Sequence, residues 1–210
     1  MSAPSDTLRT SYDAVAAAYV EHLYHELDRK PLDRHLLNRF AEEVRGPVAD
    51  VGCGPGHVAR YLSEQGVQAQ GIDLSPEMIA WAARLNPGIP FGVGDLRALD
   101  LPDAHLAGIV AFYSLIHLDP ADFPIALREL HRVLAPGGVL FLAFHIGAHT
   151  VHHDELFGQP VSLDFRFLVP AEVIASLSDA GFTVTESVER EPYPGAEHPS
   201  RRCYLFARVA

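Results

Sequence analysis

Three carboxylates stand at or near the ends of three successive apolar runs: Asp50 two residues before a glycine, Asp73 closing Gln68–Asp73, and Asp95 just after Val93-Gly94. Behind the first come alternating glycines, Gly52, Gly54 and Gly56, with Cys53 where a small side chain is wanted. Glycine removes the Cβ where a ligand must approach backbone. A helix starting just after the turn adds free N–H groups and the positive end of its dipole. The combination describes a pocket for a nucleotide-type ligand. In doubly wound sheets an acid at the end of the second strand accepts the two ribose hydroxyls, which assigns Asp73, and Asp95 is placed to meet an adenine amino group. Three acids leave no cationic group for a pyrophosphate, whereas a donor carrying a sulfonium and an amino group would be welcome.

The elements that must hold these residues alternate. Apolar runs at 48–51, 68–73, 90–93, 107–112 and 139–144 read as strands, and amphipathic stretches at 57–65, from Ser75 to before Pro87, and 121–134 read as helices. This rhythm predicts a parallel sheet covered on both faces. Two helices, 9–27 and Leu32 to about Val44, precede it as an expected lid over residues 1–46, with Pro31 breaking the first. After Phe144 the rhythm stops: residues 145–168 carry four histidines and three phenylalanines without a clear period, which predicts an irregular substrate-side loop. A helix from Pro170 to Ala180 and strands at about 182–189 and 202–208, an expected antiparallel hairpin, complete the chain.

Composition narrows the function. A chain of 210 residues, 48% apolar and 20% charged, fits one globular domain over 1–210. The net charge of −11, with Arg29-Lys30 and Arg201-Arg202 as isolated basic pairs and no basic helix, argues against a nucleic-acid partner. No apolar run approaches the ~20 residues of a membrane span, Met1–Leu8 does not read as a secretory signal, and two cysteines make no disulfide framework. The expectation is a cytoplasmic protein, monomer or homodimer, acting on a small molecule.

At this point the chain resembles the class I S-adenosylmethionine-dependent methyltransferases, through Asp50-Val-Gly-Cys-Gly-Pro-Gly56, Gly71-Ile-Asp-Leu-Ser-Pro-Glu-Met78, Gly94-Asp-Leu96, Ile109–Leu118 and Arg132-Val-Leu-Ala-Pro-Gly-Gly138. The resemblance implies an α/β, Rossmann-like doubly wound seven-stranded sheet in the order 3-2-1-4-5-7-6, parallel apart from the last hairpin. It implies S-adenosyl-L-methionine as cofactor and S-adenosyl-L-homocysteine as its product. Carried over, Gly52, Gly54 and Gly56, with Cys53 among them, would lie under the methionine part, and Asp50 would meet its amino group. Asp73 would hold the ribose, Leu74 and Met78 would flank the adenine, and Asp95 with the Leu96 amide would read its edge. Tyr113 and Ser114 would line the sulfonium end, and Tyr12 and Tyr19 would sit on a helix covering the cofactor.

Methyl transfer asks the protein chiefly for alignment and exclusion of water, with a base where the acceptor must lose a proton. His117, past the fourth strand, and His145, ending the fifth, are the candidates; His117 could equally cap or pack at its turn. His149, His152, His153 and Asp154 could suggest a metal, but magnesium prefers carboxylates and zinc needs a fixed ligand set, so no metal is expected. Arg166, Glu197 and Arg201 read as surface ion pairs or anchors for a polar substrate, and Trp81 as core. The alternatives are a methyltransferase-like partner protein without turnover and an NAD-dependent oxidoreductase. The latter leaves Asp50 and Pro136-Gly-Gly138 unexplained.

Overall fold

The computed structural model describes the backbone of residues 4–209 and the side chains of residues 6–209; the ends of the expected 1–210 domain lie outside the described residues. In chain order the elements are α1 (Pro4–Leu23), a 3-10 turn (Glu26–Arg29), α2 (Pro31–Glu43), β1 (Pro47–Val51), α3 (His57–Glu64), β2 (Gln68–Asp73), α4 (Pro76–Leu85), β3 (Phe91–Val93), β4 (Leu106–Phe112), a second 3-10 turn (Leu115–His117), α5 (Phe123–Val133), β5 (Leu134–His145), β6 (Thr150–Leu156), β7 (Gln159–Arg166), α6 (Pro170–Asp179), β8 (Phe182–Arg190) and β9 (Arg202–Val209).

Seven strands form one sheet in the order β3-β2-β1-β4-β5-β9-β8. β1 to β5 pair in parallel, while β9 runs antiparallel to both β5 and β8. This is the expected sheet. The irregular loop expected over 145–168 is instead a second sheet, the antiparallel hairpin β6–β7. Its inward residues Val151, His153, Leu163 and Phe165 alternate with exposed ones such as His152, Asp154 and Asp164, so no long apolar run announced the strands. Two boundaries also move. α1 starts earlier and ends at Leu23, and Pro31 opens α2 at its first turn rather than merely ending α1, because its missing N–H costs nothing there.

Strand residues alternate between two cores, as a two-residue period requires. Leu140, Leu142 and Phe144 of β5 pack with Leu130 of α5 and Leu177 of α6. Val139, Phe141 and Ala143 pack with Leu36 and Phe40 of α2 and Leu62 of α3. Each large side chain so buried contributes about 1.5–3 kcal/mol. α2 is therefore a core layer rather than a lid, lying so close to β4 that a Cβ on Gly108 would meet Phe40 Cζ at 2.7 Å. α1 alone covers the sheet edge, in a third cluster where Val15 and Ala16 meet Met78 of α4. Trp81 is partly buried against that cluster, with Arg84 over its ring.

Ser75 joins lid to sheet. Its buried hydroxyl accepts from the Met78 amide, capping α4, and donates to Asp13 Oδ1 of α1 at 2.6 Å. Ser75→Ala removes both contacts, an expected loss of about 1–2 kcal/mol and a melting midpoint lower by ~2–8 °C in a domain of this size. A midpoint within about 1 °C of wild type, at roughly 2–4 °C per kcal/mol, would contradict the tie. Among the described residues no helix is long and apolar enough to cross a membrane.

Candidate active site

The C-terminal ends of β1, β2 and β4, α1 above them and the β6–β7 hairpin enclose a cavity of about 690 Å³, a volume within the range of small-molecule sites. A sheet of this winding opens its crevice at that edge, where strand order reverses between β1 and β4.

One end of the cavity is built by the glycine turn and two acids. Gly52 has φ +77°, and a Cβ there would lie 2.3 Å from Ser114 Cβ, so the β1 turn and the β4 end can meet only through glycine. Asp73 accepts from the Gly54 amide at 2.8 Å through Oδ2 and from the Ser75 amide at 2.8 Å through Oδ1. Each oxygen keeps a lone pair for a ligand hydroxyl. Burial pushes its pKa up while the backbone donors pull it down. Leu74, Met78 and Leu96 supply an apolar slot beside it. Asp95 lines the same end, but Arg97 grips both of its oxygens.

Of the expected cofactor residues, Tyr12, Tyr19, Gly52, Gly54, Asp73, Leu74, Met78, Asp95, Leu96, Tyr113 and Ser114 line this one cavity. Asp50, Cys53 and Gly56 are not among its lining residues. Asp50 is buried behind the turn, accepting from the Ala59 amide at 3.1 Å, and burial pushes its pKa up to about 7. Cys53 packs against Gly71, and Gly56 abuts Phe91 and Asn86, so these three shape the turn from behind. The cavity also holds cations that spacing could not reveal, among them Lys30 and Arg97. Each is clasped: Arg97 by Asp95 and Asp122, Lys30 by Glu26 at 2.7 Å.

The other end is aromatic. Tyr12, Tyr113, Phe165, Phe167 and the rings of His117, His145, His153 and His198 line it. His117 binds the Asp164 carbonyl through Nδ1 at 2.9 Å, so that nitrogen carries the proton, and Nε2 accepts the Tyr12 hydroxyl at 2.6 Å. In this structure that lone pair is engaged by Tyr12. His117 thereby ties α1 to β7. His145 stands as expected at the end of β5, its Nδ1 2.8 Å from Ser200 Oγ.

Burial holds His117 down to about 4, against the opposing pull of Asp164. A histidine in the unfolded chain titrates near 6.5, so the unfolded state takes up the proton first as pH falls. The stability this site contributes is complete above pH ~6.5 and is lost progressively as pH drops toward 4. Asp50, raised toward 7, works in the opposite sense, so a difference between variants is the clean readout. His117→Asn is expected to flatten the acid limb of the midpoint-against-pH curve between these values; an unchanged limb would contradict a buried neutral ring.

Around this end lies a charge network that sequence reading missed. Asp33 of α2 and Glu197 are both gripped by Arg190. Glu197 also faces Arg202 at 3.3 Å and Lys30 at 3.6 Å. Glu197 is thus a buried hub, not the surface partner expected, whereas Arg201 does pair on the surface with Glu189 and Glu191, and Arg166 with Asp119. The available signals were Lys30, the sole lysine, and Arg202 at the head of an apolar strand. On the hairpin His152 pairs with Asp164 and Asp154, His149 stacks on Phe167 and His153 meets Phe165.

Comparison with known proteins bears on this geometry. A family model described as a methyltransferase domain matches residues 48–138. A malonyl-(acyl-carrier protein) O-methyltransferase of Dechloromonas aromatica is 30% identical over 201 residues, covering 89% of this chain and 71% of that protein. The corresponding Serratia marcescens enzyme is 32% identical over 133 residues, 63% of this chain and 48% of that protein, so the chain spans about half the length of such relatives. A structure of the DhpI–SAH complex superposes with a TM-score of 0.76 at 24% identity, covering 98% of this chain and 97% of that one.

Proposed function

We propose, from the premise that this chain belongs to the class I S-adenosylmethionine-dependent methyltransferase family, that its cavity binds S-adenosylmethionine and directs the methyl group to a small-molecule acceptor, at oxygen or nitrogen. The observation that carries this reading is one continuous cavity with Asp73 and the glycine turn at one end and an aromatic, histidine-rich wall at the other. The residues fit the donor. Gly52 and Gly54 leave room beside the turn, Asp73 has lone pairs for two ribose hydroxyls, and Met78, Leu74 and Leu96 form a slot for a flat ring.

S-adenosylmethionine supplies a methyl group already activated by the sulfonium. The chain's own residues do the rest. Tyr12, Tyr19 and Tyr113 line the cavity, and an aromatic face near a cation is worth about 0.5–2 kcal/mol. The Tyr12–His117–Asp164 chain fixes α1 against the hairpin and closes the cavity above. Alignment of donor and acceptor in such an enclosure can supply about 7–11 kcal/mol of the barrier. The names of the relatives, a malonyl-(acyl-carrier protein) O-methyltransferase and a trans-aconitate 2-methyltransferase of Mycobacterium tuberculosis, are in keeping with an acyl or small-molecule acceptor.

The test is incubation with methyl-labelled S-adenosylmethionine and a panel of small acids, phenols and amines. Label in one acceptor, with matching S-adenosylhomocysteine, is the expected result. Tight cofactor binding with no transfer to any acceptor would favour a partner protein without turnover.

A further inference from the structure

The contact between Tyr12 and His117 fixes more than the position of α1. His117 Nδ1 lies 2.9 Å from the Asp164 carbonyl, which can only accept, so Nδ1 carries the proton of the neutral ring and Nε2 keeps its lone pair. The Tyr12 hydroxyl, 2.6 Å from Nε2, is therefore the donor of that bond, and its own lone pairs take no hydrogen bond from another described residue. Tyr12 also stands at the junction of the two ends of the cavity. Its ring lies 6.3 Å from that of Tyr19, which borders Gly54, and the charge of Asp73 reaches its hydroxyl. On the far side the His117 ring is 4.8 Å from that of Phe165. Resting on the methyltransferase reading, we propose that the acceptor is a small phenol, and that Tyr12 takes its proton while passing its own to His117, which makes Tyr12 a catalytic residue and His117 the terminal base.

Three observations single out a phenol. The first is the state of the two groups. Burial keeps the His117 ring neutral at pH 7 and holds the Tyr12 phenol above its usual range, so it stays protonated. The Asp164 carboxylate is engaged elsewhere, with His152 at 2.7 Å. An ordered, uncharged proton acceptor serves a nucleophile that arrives with its proton; a carboxylate arrives ionised, and an amine attacks through a lone pair it already has. The second is the wall. Phe165 and Phe167 line this end with Tyr12 and Tyr113, and a flat aromatic body gains from such rings beyond its burial. The third is the match of acidities. A phenol and a tyrosine both titrate at about 10 in water, so the first transfer runs between like groups, whereas an aliphatic alcohol holds its proton far more tightly.

The step balances. A lone pair of the phenol oxygen forms the new O–C bond as the C–S bond breaks, and the pair of that broken bond stays on sulfur as a neutral thioether. The pair of the phenol O–H bond remains on oxygen. Its proton moves to Tyr12 Oη, and the proton of Tyr12 moves to His117 Nε2, so Tyr12 ends neutral and His117 ends as imidazolium. The ring gains its charge in the step that removes one from sulfur, so the enclosed site carries one positive charge before and after and no further buried charge is created. His117 returns the proton to water once the product has left.

The experiment first uses protein loaded with S-adenosylhomocysteine, loading being verified by calorimetry. It is titrated with 4-methylphenol and with 4-methylanisole, which lacks the hydroxyl proton. The phenol is expected to bind more tightly than the ether, and Tyr12→Phe to erase that preference. Transfer from methyl-labelled S-adenosylmethionine is then followed to 4-methylphenol and to 4-nitrophenol, which is largely ionised at pH 8 and needs no base. Tyr12→Phe, and His117→Asn, which offers an acceptor oxygen but takes no proton, should each lose about 100-fold on 4-methylphenol and far less on 4-nitrophenol. Affinity for S-adenosylhomocysteine should be unchanged in both. A structural role would depress the two phenols alike, and that result overturns the proposal. So does an unaffected Tyr12→Phe variant, equal binding of phenol and ether, or absence of transfer from loaded wild-type protein to either phenol. Failure to load with S-adenosylhomocysteine overturns the methyltransferase reading beneath it instead.

Discussion

Asp73→Ala is expected to weaken S-adenosylmethionine binding by at least about 100-fold while the protein still folds. The carboxylate offers one free lone pair per oxygen, and hydrogen bonds from a ligand to a charged group are worth about 1.5–3 kcal/mol each. Losing two of them corresponds to roughly 3–6 kcal/mol, and ~1.4 kcal/mol is a factor of ten. Folding should survive because burial already works against the charge at this position. The substitution removes that penalty even as it frees the Gly54 and Ser75 amides, which lie beside the cavity. Asp73→Asn, keeping one acceptor oxygen, is expected to fall between the two. Calorimetry reads the affinities and thermal melting checks the fold. Undiminished affinity in Asp73→Ala would remove the ribose from this acid.

The second large effect is on stability. Arg190 donates to both oxygens of Glu197 at 2.7 Å, to Asp33 at 2.9 Å and to the Tyr204 hydroxyl at 3.0 Å, and it stacks over Tyr193. The side chains of Asp33 and Glu197 are each 1% exposed. Arg190→Ala leaves two buried carboxylates short of their principal cation, a loss of about 3–5 kcal/mol. At ~2–4 °C per kcal/mol the midpoint should fall by roughly 6–20 °C. Arg190→Lys keeps the charge but not the fork, and should recover only part. Because the same network anchors the 191–201 connection that carries Glu197 and His198 into the cavity wall, ligand affinity at the aromatic end should weaken along with stability. A midpoint unchanged in Arg190→Ala would show that Lys30, Arg202 and Tyr204 hold the two acids unaided.

What was legible in the sequence follows from what is local. A buried strand, a glycine turn and a helix cap are decided within a few residues. For that reason Val48–Gly56, Asp73 and the Ser75 cap could be placed before any coordinates, and the sheet order followed from the family resemblance they carry. The β6–β7 hairpin was missed because its strands pack on one face only, against α1 and the turn at His117, leaving alternate charged residues such as Asp154, Glu155 and Asp164 in solvent. The charge network was missed because Lys30 and Asp33 lie far along the chain from Arg190, Glu197 and Arg202, Asp33 and Arg190 being 157 residues apart. His117 was correctly placed at the cavity, yet its chemistry turns on Tyr12, 105 residues away. Side-chain partners across such separations have no signature in spacing.

The proposed function makes the cavity under α1 a site for a cationic adenosyl donor. Calorimetric titration of the wild-type protein with S-adenosylmethionine, and separately with NADH, tests it most directly. The expected result is saturable one-to-one binding of S-adenosylmethionine and of S-adenosylhomocysteine, with no measurable binding of NADH. Tight NADH binding without S-adenosylmethionine binding would contradict the account and return Asp73 to the ribose of a dinucleotide.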